Sequence, residues 1–497
     1  MQMKNLFIVL FCCSFLLSSC EDDLKLLPKN NLTQDTFYKT ERQIAQAVTG
    51  VYSAMVSGGS EGGFDVNFNL LASEVRSNNY NSIAQNGNRD YFAIGRFQET
   101  SATPTLETIW KQSYKLIAYA NEILDRIDAV PFEDENLKKR YRSEVRFLRA
   151  YTYFELLQVF GKVPLVDHSV DIEEAKEIGR TNLDILYDFI VFELEDAANF
   201  LPPSYTGNDV GRVTKWAAHA MLGRVCLTGA GYPLGKQEYL SIAKSHLKQV
   251  INQEGKYVNW SSNYADLFKS SNDNKYHIFE IQHASGGYDT GTLYPSYVAP
   301  GYGNKDPLYN INGSSLYGAN SLAVSEDLID SYEVGDLRFK ATIGTQYLDS
   351  KNKIAYSDFF VKFREPNVTI VDRYDWPINI PVIRYADVLL MYAEILNSEG
   401  ATIEALPILN RIRNRAGLKP LTGLSQSQFQ LALEKERRLE FAGEGIYWHD
   451  LVRWNKAVEV MNSWSAKEGQ GFKITQNDYI YPLPLTQIQV AGYEQNP

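Results

Sequence analysis

Tyr141-Arg142-Ser143-Glu144-Val145-Arg146-Phe147-Leu148-Arg149-Ala150-Tyr151-Thr152-Tyr153-Phe154-Glu155-Leu156 runs on to Phe160 and is closed by Gly161, with Pro164 just beyond. Tyr141, Val145, Leu148, Thr152 and Leu156 fall on one face at helical spacing, and Phe147, Tyr151, Phe154 and Leu157 cover another. A helix apolar on two faces is buried nearly all round, so this spacing predicts a central helix over about 136–160 with others packed against it. Gly161 supplies the stop.

The same periodicity recurs outward from it. Ile44, Ala47, Val48, Val51, Tyr52 and Met55 mark a helix over 43–56, and Trp110, Tyr114, Ile117, Ala120, Asn121 and Leu124 mark the next. Further helices are expected at 182–200, 213–228, 237–251, 382–398, 402–415, 426–442 and 447–462. Short links between consecutive helices predict stacked αα-hairpins, without a strict repeat of 34 residues. The scaffold is thus expected over about 36–252 and 382–462. Residues 253–381 differ, with dense Gly, Asn, Ser, Asp and Tyr. Rich in aromatics and poor in charge runs, they read as a large ordered, loop-rich insertion.

With 497 residues, 44% hydrophobic and 13% aromatic, the chain is long enough for a large core. A formal charge of −11 argues against nucleic acid and general polyanions as partners. Of four cysteines, Cys12 and Cys13 lie in an N-terminal apolar run and Cys20 ends it. Cys226, inside a helical apolar pattern, reads as a small packing residue rather than half of a disulfide.

That N-terminal run has the form of an export signal: Lys4, apolar residues from Leu6 to Leu17, then Leu17-Ser18-Ser19-Cys20. It is too short to span a bilayer as a helix. It resembles a bacterial lipobox, so residues 1–19 are expected to be removed and Cys20 to carry lipid, an anchor worth about 0.8 kcal/mol per buried methylene. Glu21-Asp22-Asp23 resemble the acidic signal that sends Bacteroidetes-type lipoproteins to the cell surface.

The central helix, with Phe160-Gly161-x-Val163-Pro164-Leu165, resembles the hallmark segment of SusD/RagB-type proteins. The C-terminal third adds Arg384-Tyr385-Ala386-Asp387-Val388-Leu389-Leu390-Met391-Tyr392-Ala393-Glu394 and Leu409-Asn410-x-Ile412-Arg413-x-Arg415-Ala416-Gly417. Glu436-Arg437-Arg438-x-Glu440-Phe441-x-x-Glu444-Gly445 and Trp448-x-Asp450-Leu451-x-Arg453-Trp454 follow. The closing Tyr481-Pro482-Leu483-Pro484 and Gln495-Asn496-Pro497 are similar to the family's end. The resemblance implies a mainly α fold of four tetratricopeptide-like helix pairs with irregular excursions, and a binding role without catalysis. It also implies a cell-surface lipoprotein on the outer membrane that passes a nutrient, usually a glycan and sometimes a peptide, to a SusC-type TonB-dependent transporter.

The residues favour binding on their own account. Arg146, Arg149, Glu436, Arg437, Glu440 and Glu444, spaced at three and four on helices, read as ion pairs that hold helices in register. Tyr288, Tyr294, Tyr297, Tyr302, Tyr309 and Tyr317 are interleaved with Gly and Asn. That composition suits a sugar, whose ring face takes an aromatic and whose hydroxyl rim takes amides. A second candidate is the loop from Arg76 to Phe97, with Asn78, Asn79, Tyr80, Tyr91 and Phe97. Each tyrosine has a packing alternative. Catalytic readings are weak: Gly58-Gly59-Ser60-Glu61-Gly62 has the letters of a nucleophile elbow but follows a helix. The six histidines lack metal-ligand spacing, and no cofactor or metal is expected. The alternatives are a peptide or other nutrient on the same scaffold and, remotely, a surface glycosidase with two facing carboxylates.

Overall fold

Asp134 starts the central helix by accepting from the Asn136 amide, and Gly161, at φ +67°, stops it. The computed structural model describes residues 37–56, 61–82, 90–287, 289–298, 322–348, 353–364 and 374–497, and the backbone of 303–306 and 311–316. Among these, the longer helices are α1 Glu41–Val56, α2 Pro104–Arg126, α3 Glu135–Phe160, α4 Leu183–Phe200, α5 Lys215–Ala230 and α6 Tyr239–Ile251. After the irregular middle come α7 Tyr385–Ser398, α8 Thr402–Arg415, α9 Gln426–Phe441, α10 Tyr447–Arg453 and α11 Ala457–Glu468.

Each helix from α1 to α8 packs on the next in sequence, across the middle as well, where α6 meets α7. The fold is therefore mainly α, a row of helix pairs with α3 near its centre. From Tyr141 on, α3 is buried on almost every side, as its two apolar faces require. Cys226, fully buried in α5, is a free thiol whose pKa burial pushes up to about 12.

The strands are short and come in antiparallel pairs: β1 Tyr80–Ser82 with β5 Leu322–Val324, β2 His277–Ile281 with β8 Ile380–Arg384, β3 Gly303–Asp306 with β4 Ile311–Leu316, and β6 Ile343–Leu348 with β7 Ile354–Phe360. Two-stranded ladders are marginal alone, so they depend on packing against the rest of the fold, as β2 and β8 do against α5. β8 is buried along its whole length.

Two local expectations are corrected, and one element has no counterpart in the sequence reading. Residues 382–384 belong to β8, because a fully buried apolar run reads the same in a strand and a helix. The helix expected over 447–462 is split at Asn455, which takes a left-handed φ of 56° between α10 and α11. A wholly buried π-helix, Asp65–Glu74, lies where the sequence shows no helical period.

The expected ion pairs form. Arg149 meets Glu193 at 2.8 Å and ties α3 to α4, with Arg146 beside it on Asp196 at 2.9 Å. In the C-terminal third, Arg437 joins Asp387 and Asp450, each at 2.8 Å, and Arg453 joins Glu394 at 2.6 Å. Arg384 holds both Glu440 at 2.8 Å and Glu444 at 2.6 Å.

Candidate functional site

The segments singled out for binding, 76–97 and 286–317, are remote in sequence, and the first meets both the described part of the second and the strand β5 just beyond it. β1 lies against β5 with Tyr80 opposite Val324, and Tyr91 meets Tyr297 edge to face at 5.2 Å. Beneath this seam the Glu74 carboxylate accepts from Asn79 Nδ2 at 2.8 Å and from the amides of Gly443 at 2.8 Å and Gly445 at 2.9 Å. Burial raises the pKa of Glu74, and those three donors oppose the rise. Gly445, at φ +74°, runs so close to the Asn69 backbone that a Cβ would sit 2.4 Å from its Cα, so glycine is required there.

Arg438, from α9, donates to Asn79 Oδ1 at 2.9 Å, the Asn78 carbonyl at 3.1 Å and Asp327 at 2.9 Å. Asn78 Nδ2 also reaches Asp327, at 2.8 Å. The Tyr294 hydroxyl donates to the Gly443 carbonyl at 2.7 Å, and Tyr80 packs on Phe360. Arg76 is stacked between Phe97 and Tyr481, 4.2 Å from each ring centre, and pairs with Glu99.

These contacts revise the roles expected of five residues. Asn78, Asn79, Tyr80, Tyr91 and Tyr294 are at most 2% exposed and build the base of the seam instead of facing solvent. Phe97 is half-buried against Trp448 and Phe472. Tyr297, also half-buried, is the candidate that reaches the surface at the junction. Tyr288 and Tyr302, with Tyr309 and Tyr317, lie outside the described residues, as does Cys20. Glu74 and Arg438 are the organising groups that the sequence reading did not assign to this place. The one hint was an acid closing the apolar run Leu70-Leu71-Ala72.

Unlike Glu74, which is held by amides, the buried carboxylates of the C-terminal third are engaged with cations. Burial pushes Glu440 up, yet Arg415, Arg384 and Arg338 hold it down at about 2. Asp387 is likewise held at about 2, against burial, by Arg224 and Arg437. Lys362 binds Glu444 at 2.8 Å. Such groups make a stiff platform for side chains presented above them. Among the described residues no cluster of three or more His, Cys, Asp or Glu is placed to hold a metal ion, and no helix is long and apolar enough to cross a membrane.

A row of helix pairs carrying an anchored seam of aromatic loops is the architecture of a binding platform. The comparisons give its family. The SusD family model matches residues 344–497, and a second model, described as starch-binding associating with outer membrane, matches residues 24–227. The chain belongs to the SusD/RagB family, whose members are binding proteins associated with the outer membrane. A SusD-like protein of Formosa agariphila is 26% identical over 536 residues, covering 99% of this chain and 97% of its own. Starch-binding protein SusD of Bacteroides thetaiotaomicron is 24% identical over 465 residues, covering 79% of this chain and 80% of its own. The solved structure of a laminarin-binding SusD-like protein superposes with a TM-score of 0.77 at 28% identity, over 93% of this chain and all of that one.

Proposed function

We propose that this protein is a cell-surface lipoprotein of the outer membrane that binds a glycan and delivers it to a SusC-type TonB-dependent transporter. The observation that carries the reading is the seam itself. Two aromatic, amide-rich segments are pinned together by β1–β5 and by Tyr91 on Tyr297, over a base locked by Glu74 and Arg438. Rigid support for exposed aromatics is what sugar recognition asks for, since a ring stacked on a sugar gains only if it is already held in place. The laminarin-binding structure and the starch-binding relative support glycan as the ligand class. Tyr297, Tyr288 and Tyr302 are proposed as contacts, with Asn78, Asn79, Tyr80, Tyr91, Tyr294 and Phe97 positioning the loops.

The lipobox supports an anchor on Cys20, and the transporter partner follows from the family. Binding without catalysis is the reading favoured by the acids, because Glu440, Glu444 and Asp387 are ion-paired in the core and not poised across a cleft. The test is electrophoresis of the purified chain through native gels containing laminarin, starch or no polymer. Retardation by at least one polymer, weakened in Tyr297→Ala, is expected. Unchanged migration in every glycan tried would overturn the proposal.

A further inference from the structure

A cavity of about 150 Å³ lies between the first turn of α5 and strand β2, and it shares no lining residue with the seam. Its wall includes Tyr205, Trp216, Tyr257, Asn274, His277 and Glu280. A second hollow of about 230 Å³ adjoins it across Val210, Gly211 and Arg212. Two ring nitrogens on this wall are buried without a hydrogen-bond partner among the described residues: Trp216 Nε1 and His277 Nε2. The His277 side chain is only 4% exposed. A buried polar atom left unpaired is costly, so such a pair marks a place where something polar belongs.

The chemistry of the two nitrogens differs. Trp216 Nε1–H can only donate. His277 Nδ1 is 2.6 Å from Glu280 Oε2, and in the tautomer whose Nδ1–H donates to that carboxylate, Nε2 is left as an acceptor facing the cavity. The charges nearby are already matched. Arg212 binds Glu144 at 2.8 Å and Asp209 at 2.9 Å, and Glu280 also accepts the Asn274 amide. The wall therefore offers one donor, one acceptor and no uncommitted charge. Trp216 stacks on Tyr257 at 5.6 Å with 28° between the planes, which gives the cavity an aromatic flank.

A hydroxyl both donates and accepts, and a neutral ligand carrying several beside an apolar ring face fits this wall where an anion or cation does not. We propose that the cavity is a second glycan subsite, separate from the seam, that takes one neutral sugar residue through hydroxyls on Trp216 Nε1 and His277 Nε2. The inference rests on the reading of the protein as a glycan binder, and its test is independent of the seam.

The full mature chain is labelled with ¹⁵N at its tryptophans, of which the sequence has seven. Indole N–H resonances are followed while methyl α-D-glucoside, and separately methyl β-D-glucoside, is added. Trp216→Phe identifies the Trp216 resonance by its loss. A saturable shift of that resonance with at least one glucoside is expected, the others staying in place. Ser204→Phe, at an exposed position on the rim, should abolish the shift while leaving the other six resonances and retardation in glycan gels unchanged. Linear drift without saturation, or a shift that survives Ser204→Phe, would show that the cavity holds only water and would overturn the proposal. Failure of the gel assay with an intact indole titration would count against the seam alone.

Discussion

Glu440→Gln is the sharpest test of the buried charge network. The Glu440 carboxylate has no exposed surface and lies 2.8 Å from Arg384, 2.5 Å from Arg415 and 3.6 Å from Arg338. Removing its charge leaves three buried guanidinium groups facing a neutral amide that brings donors of its own. Breaking a buried pair by removing one partner costs about 3–5 kcal/mol. The pKa gives a second route to the magnitude. A glutamate held at about 2 against an ordinary 4.5 is about 2.5 pH units depressed, and at about 1.4 kcal/mol per unit this contributes on the order of 3 kcal/mol. The sign follows from the depression: the contribution is fully present above the unfolded pKa and is lost as pH falls through about 2. Urea unfolding followed by circular dichroism, chosen because urea does not screen charge, should show a loss of about 3 kcal/mol at pH 7. The gap between variant and wild type should close between about pH 4.5 and pH 2. A loss under about 1 kcal/mol at pH 7, or a gap that stays constant down to pH 2, would refute the account of Glu440 as the keystone of three arginines.

Other perturbations separate the remaining claims. Tyr294→Ala should destabilise the fold by about 3–5 kcal/mol, as for other buried aromatics, whereas Tyr297→Ala should leave the urea midpoint nearly unchanged and weaken glycan binding by about 0.5–1.5 kcal/mol, read by isothermal titration. Glu155 is raised to about 7 by burial, only partly opposed by Arg224. A raised acid makes the protein lose stability as pH climbs from about 4.5 through 7, so Glu155→Gln should match wild type near pH 4 and exceed it by about 3 kcal/mol at pH 8 in the same urea assay. Cys20→Ala should release the folded chain from the outer-membrane fraction in cells lacking the transporter; continued pelleting with membranes would contradict a lipid anchor.

The helices were legible because each carries its apolar stripe in its own sequence: α3 and α8 came out within one residue of the expected bounds. What periodicity could not show was pairing. Residues 382–384 join β2 from about a hundred positions away, and β1 finds β5 across more than two hundred, so nothing local distinguished them from helix or loop. The charged signature read correctly as structural, since acids and arginines at three- and four-residue spacing on apolar helices have few other uses. The tyrosines were harder. Composition singled out two segments that come together in space, but a Tyr that stacks on Phe363 and donates to a carbonyl, as Tyr294 does, has the same letter as one that faces solvent. Asn78 and Asn79 misled in the same way: amides suited to a sugar rim are equally suited to hold a backbone.

The Glu74 clamp has a consequence for how such a chain is made. Its amide partners, Gly443 and Gly445, lie 369 and 371 residues downstream. Tyr481 then closes over the same region by donating its hydroxyl to the Ala72 carbonyl, 409 residues back. A chain made from its N-terminus therefore delivers the first wall of the seam long before the groups that fasten it. Until residues 443–445 arrive, Glu74 has Asn79 alone of its three donors and the helix Asp65–Glu74 lacks its cover, a state that invites chaperone capture and proteolysis. A nonsense change after residue 440 would delete none of the tyrosines proposed as ligand contacts, yet it would remove the Gly443 and Gly445 amides that fasten Glu74 beneath the seam.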